Sequence, residues 1–209
     1  MADAALLLFA QASLIGLSIA APVGPIGLLV IQRTLQRGRA VGLATGLGAA
    51  VADAFYGAVG AYGVSGVIHV LQGARLPLAL AGGAFMLWLA WRTWTATPPD
   101  HAATVRRDAR GLLGAFGGSF ALTLSNPATI FSFIAIFGTL GARGPVASPA
   151  LMVAGVLLGS ALWWVLLCGG VGALRQRFDV RWQRGVNRIS ALLLAAFALW
   201  QWAGLAAAR

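Results

Sequence analysis

Five carboxylates occur in the 209 residues, and one of them, Asp53, stands in a run from about 41 to 64 that carries no other charge. A carboxylate in such a setting can accept an ammonium group, exchange a proton, or do both. Its presence is costly, because insertion scales charge about 2.5–3.5 kcal/mol for an Asp at the centre of a membrane helix. One helical turn to either side lie Ala49, Ala50, Tyr56 and Gly57, and beyond them Gly46 and Gly60. That mostly small face lets helices approach closely, so Asp53 is expected to point into the protein. Tyr56, on the same face, is a candidate binding residue beside it.

Two further segments place backbone chemistry inside apolar runs. Ala20-Ala21-Pro22-Val23-Gly24-Pro25-Ile26-Gly27 contains two prolines without N–H groups and two glycines. Each Pro in a helix interior costs ~3 kcal/mol, so the helix should break here and restart near Pro25. Ser125-Asn126-Pro127 reads as a second start, with Asn as N-cap and Pro at the first helical position. At bilayer depth, freed N–H groups are tolerable only when buried in protein or facing a watered cavity, and a helix N-terminus favours an anion. Paired breaks of this kind suit a carboxylate site. Ser18, Thr123, Thr129 and Ser132 flank the breaks and are candidates to line a cavity, although hydroxyls also back-bond to helix carbonyls. Trp163 and Trp164 fall at the centre of their apolar run. One could face a cation, but packing is the commoner role for such a residue.

The elements that position these residues follow from composition. The chain is 59% hydrophobic and 10% charged, against about 25% charged in a soluble domain. It reads as an integral membrane protein. Six largely uncharged blocks, at about 5 to 31, 41 to 64, 76 to 95, 112 to 138, 149 to 173 and 187 to 206, are each near the roughly 20 residues that a spanning helix needs. They are continuous Leu/Ala/Gly-rich runs without period-2 alternation, so a membrane barrel is not expected. The expected fold is an all-α integral membrane protein of six transmembrane helices, with helices 1 and 4 broken near mid-membrane.

Charge sets the orientation. The net charge of +10 comes entirely from arginine, with no Lys and no Glu in the chain. Arg33, Arg37, Arg39, Arg92, Arg106, Arg107, Arg110, Arg175, Arg177, Arg181, Arg184 and Arg188 follow the odd-numbered blocks, whereas only Arg75, Arg143 and Arg209 lie on the other side. The positive-inside bias therefore puts both termini on the non-cytoplasmic side. An N-terminus opening with Asp3 instead of a basic stretch argues against a cleavable signal peptide. The polar segment with Pro98-Pro99-Asp100 divides one transmembrane domain into residues 1–96, a cytoplasmic linker at 97–111, and residues 112–209. Three helices per half makes the second half enter with opposite orientation, the geometry of an inverted repeat. Ala21-Pro22 answers Asn126-Pro127 in this scheme, and Gly46, Ala52 and Phe55 answer Gly155, Ala161 and Trp164. Asp53 then has Leu162 as its approximate equivalent, so the acid is single.

On Ala21-Pro22-Val23-Gly24-Pro25, the basic run Arg33-Thr34-Leu35-Gln36-Arg37-Gly38-Arg39, the segment from Gly46 through Asp53 to Gly57, and Ser125-Asn126-Pro127-Ala128-Thr129-Ile130, the chain resembles the lysine-exporter (LysE/RhtB-like) family of amino-acid efflux transporters. Order, spacing and six-span length agree over essentially the whole chain. The resemblance implies a cytoplasmic-membrane exporter of amino acids or similar small amines, driven by an ion gradient and assembled as a homodimer. Carried over position by position, it implies a site at Pro22, Gly24, Pro25, Asp53, Asn126 and Pro127, to which Tyr56 and Thr129 are added from their placement. The sequence departs from the family at Ile26, where many relatives carry a polar Asn or Asp.

Other classes fit less well. An inorganic cation transporter is the alternative, but hard cations want several oxygens and soft ones want Cys or His, and one intramembrane Asp is a poor cage. A membrane thiol-exchange enzyme lacks a partner for the lone Cys168, so no enzyme activity, metal or cofactor is expected. The expected partners are the lipid bilayer and a small-molecule substrate, with no nucleic acid.

Overall fold

The computed structural model describes residues 2–22, 24–62, 75–95, 109–126, 129–130, 132–133, 136, 148–174 and 180–207. Among these every regular element is helical: α1 (Ala2–Ala20), α2 (Pro25–Arg37), α3 (Arg39–Ala61), α4 (Arg75–Trp94), α5 (Ala109–Leu124), α6 (Pro149–Leu174) and α7 (Val180–Ala207). The described residues between 129 and 136 are helical as well. Among the described residues three stretches, Asp3–Ala20, Arg39–Ala61 and Pro149–Ala173, are long and apolar enough to cross a membrane. The linker expected at 97–111 lies largely outside the described residues.

Helix ends fall where local chemistry puts them. The first apolar block is divided between α1 and α2, with the break at residues 21 to 24. The basic run after it is helix instead of loop: Arg33 and Arg37 belong to α2, and only Gly38 separates α2 from α3. Gln, Arg and Leu are good helix formers, so α2 continues beyond the apolar stretch until Gly38 ends it. Gly38 has φ of 92°, a conformation that side-chain-bearing residues rarely adopt, and its N–H bonds Thr34 O at 3.1 Å. For the same reason α7 begins at Val180, ahead of its apolar block.

Helix α3 is the centre of the bundle, packing on α2, α5 and α6 and touching α1. Helix α1 lies along α6, and α4 pairs with α7. The close crossings use glycine. A Cβ at Gly159 of α6 would strike the Ser13 carbonyl of α1, and one at Gly48 of α3 would strike the Phe116 carbonyl of α5. Helix α2 is tied by side chains to its neighbours. Gln32 Nε2 donates to Thr93 Oγ1 of α4 at 3.0 Å, Gln36 Nε2 to Asn187 Oδ1 of α7 at 2.7 Å, and Arg33 to Thr45 Oγ1 of α3 at 3.0 Å and Ala115 O of α5 at 3.1 Å. Arg33 thus clamps three helices, in addition to the topological part its charge suggests.

The buried side chains form two clusters. One joins Ile26, Leu29 and Val30 of α2 to Met86, Leu122, Trp164, Cys168 and Leu194; the other joins Ala12, Tyr56, Ile130, Phe133, Met152 and Val156. On the outside, Leu6, Leu7 and Leu14 of α1, Leu158 and Leu166 of α6, and Trp200 of α7 are exposed. Water-soluble monomers rarely present such contiguous apolar faces, whereas lipid requires them.

Candidate functional site

The helix breaks are built from the backbone outward. At the end of α1, Ala21 N–H still reaches Leu17 O at 2.9 Å, but Pro22 has no N–H to give. Gly24 N–H turns back onto Pro22 O at 2.8 Å, and Gly24 O accepts the first bond of α2 from Leu28 N–H at 3.1 Å. Gly24 is therefore the N-cap, extended in conformation and with no side chain to cap the helix, and Pro25 begins α2. The second break matches the expected helix start. α5 ends at Leu124, Asn126 N–H bonds Thr123 O at 3.1 Å, and Asn126 O accepts from Ile130 N–H at 3.2 Å as helix resumes. Pro127 lies outside the described residues.

Asp53 meets these breaks from α3. It is 3% exposed, as its small-residue face predicts, and Ser160 Oγ of α6 donates to its Oδ2 at 2.7 Å. A cavity of about 70 Å³ opens beside it, walled by Ala49 and Asp53 of α3, by Pro22, Gly24, Pro25, Ile26 and Gly27 of the first break, by Ile19 and Ala20 before it, by Thr123, Asn126 and Thr129 around the second break, and by Trp164 of α6. Of the residues singled out in the sequence, Pro22, Gly24, Pro25, Asp53, Asn126 and Thr129 converge on this one space. Ile26, where the sequence departs from the family pattern, is part of the wall.

Tyr56 is placed differently. Its hydroxyl donates to Leu124 O at 2.6 Å, and its ring lies 5.6 Å from that of Phe133. It is not among the residues walling the cavity; it holds a carbonyl of the last turn of α5, where the chain breaks and the helical acceptor pattern ends. Ser18 is exposed on α1 and Ser132 is also exposed, whereas Thr123 is buried against the cavity.

Ser160 and Trp164 are the residues that the sequence alone undervalued. Both belong to a stripe on α6, Met152, Val156, Ser160, Trp164 and Cys168, spaced four apart and all buried. The signal was therefore present as a helical period within an almost uniformly apolar run, marking the one face that looks inward. Trp164 packs where Gly46 leaves room, since a Cβ on Gly46 would lie 2.5 Å from Trp164 Cβ. The packing role expected of one of the two tryptophans thus falls to a residue that also walls the cavity.

Chemically, the site offers one carboxylate, hydroxyls and an amide side chain, and the N-terminal turn of a helix whose first amides have no acceptor within it. Such a set can hold opposite charges at two ends of a small molecule. No solved structure matches the chain. Among curated proteins it is 33% identical to the "Uncharacterized membrane protein YahN" of Escherichia coli over 175 residues, covering 82% of this chain and 78% of that one. It is 27% identical to the "Chemotactic transduction protein ChpE" of Pseudomonas aeruginosa, covering 86% of this chain and 89% of that protein. It is 25% identical to the "Putative amino acid efflux protein YcgF" of Bacillus subtilis, covering 91% and 92%. The family description LysE type translocator matches residues 17–201, and the chain belongs to the LysE type translocator family.

Proposed function

We propose that the protein is a secondary transporter that exports an amino acid or similar small amine across the cytoplasmic membrane, coupled to a proton gradient. The observation that carries this reading is the convergence of Asp53, the N-terminal turn of α2 and Asn126 on one cavity. Asp53 supplies the negative partner for an ammonium group, and the helix start supplies the positive end for a carboxylate. The name of the Bacillus subtilis relative, covered nearly end to end, points to the same substrate class. A carboxylate that binds either a proton or an ammonium makes the two occupants compete for one site, and such competition can link opposed fluxes. The protein carries its substrate unchanged, acts in the inner membrane as a homodimer, and has both termini on the non-cytoplasmic side with its two halves as inverted three-helix repeats.

The test is reconstitution of the full chain in proteoliposomes, with a panel of amino acids and an imposed pH gradient. Amino-acid flux that rises with the gradient and collapses with a protonophore is the expected result. Flux of divalent metal ions in place of amino acids would overturn the reading.

A further inference from the structure

Two residues of the cavity wall each carry a buried polar atom without a hydrogen-bond partner among the described residues: Thr123 Oγ1 and Trp164 Nε1. Both residues are 3% exposed, and both wall the cavity. Several hydroxyls in the bundle satisfy themselves by back-bonding within their own helix, as Thr34 does to Val30 O, Thr45 to Val41 O and Ser125 to Ala121 O. Thr123 does not, nor does Ser119 one turn before it, but only Thr123 belongs to the cavity wall. Buried polar groups in folded proteins are nearly always paired, so two orphans on one cavity wall mark a place that something else completes.

The chemistry of that missing group is narrow. An indole N–H donates and cannot accept, so its partner carries an oxygen lone pair and is not a cation. Asp53 already receives Ser160. The same wall includes Pro25, Ile26 and Gly27, the first turn of α2. Pro25 has no N–H, which leaves the amides of Ile26 and Gly27 as donors at the positive end of the helix. Donors from α2, α5 and α6 therefore surround a space whose one carboxylate comes from α3.

We infer that Trp164 and Thr123, with the first-turn amides of α2, bind the carboxylate of an α-amino acid whose ammonium is turned toward Asp53. This rests on the amino-acid reading above and adds the donors.

The experiment measures binding of a panel of small and large L-amino acids and of ethylamine to the detergent-solubilised full chain, comparing the natural protein with Thr123→Val and Trp164→Phe. Valine has nearly the shape of threonine and removes a hydroxyl that has no partner among the described residues, so the ligand-free melting temperature of Thr123→Val should not fall. Each substitution should weaken binding of the tightest amino acid about tenfold or more, as expected for a lost hydrogen bond to a charged group, while leaving ethylamine binding unchanged. Equal weakening of that amino acid and ethylamine, or no weakening of that amino acid, overturns the inference and leaves the transport reading intact. A natural protein that binds ethylamine but no amino acid overturns the inference alone, and one that binds neither overturns both readings.

Discussion

Ser160 and Asp53 meet across the α3–α6 contact, the hydroxyl donating to Oδ2 at 2.7 Å, with both residues buried. The bond satisfies one oxygen of an acid that has no cationic partner among the described residues, and it leaves the rest of the carboxylate at the cavity wall. It also joins α3 to α6 across the bundle.

Asp53→Asn tests coupling directly. The amide keeps the volume and can still accept from Ser160, but it can neither ionise nor exchange a proton. Gradient-driven efflux should be abolished and the pH dependence of substrate binding flattened, while protein abundance stays near that of the natural chain because a neutral amide is easier to bury. Binding measured across pH for both forms checks it, and an unchanged pH profile would reduce Asp53 to a packing residue.

Tyr56→Phe separates positioning from binding. It removes the donor to Leu124 O, its one side-chain partner among the described residues at the end of α5, at a cost of about 1–3 kcal/mol. The melting temperature in detergent should fall measurably, whereas substrate affinity of the folded fraction should change less than about threefold. A large loss of affinity at unchanged stability would put the Tyr56 hydroxyl at the substrate after all.

Asn126→Leu places an apolar group on the cavity wall at the point where helix resumes after α5. Loss of a cap typically costs about 1 kcal/mol of stability. Transport should fall far more than expression or insertion does, which quantitative flux per inserted molecule can read. Normal export by this variant would move the site elsewhere.

Orientation is open to labelling. Single cysteines introduced in the linker, in a background with Cys168 replaced, should be protected from an impermeant thiol reagent in intact cells and become reactive on permeabilisation. Reagent reaching position 102 without permeabilisation would reverse the proposed topology.

The sequence by itself determined the membrane character of the chain, because half the usual charge and long apolar runs leave no soluble alternative. It also located both breaks, since proline removes a donor wherever it stands and Asn-Pro starts a helix by local geometry alone. Asp53 was legible because one acid in an uncharged run is expensive to keep. What only the tertiary structure decided was which polar groups meet. Ser160 is one hydroxyl in an apolar helix, and nothing in its local sequence says that α6 turns it toward α3. Trp164 looks like any core tryptophan until its indole nitrogen proves to have no partner among the described residues. Tyr56 shares a face with Asp53, yet one turn of helix carries its hydroxyl to Leu124 O instead. Local rules act within a few residues of the chain, whereas these pairings join residues 68 and 107 positions apart and depend on how closely glycine lets the helices approach.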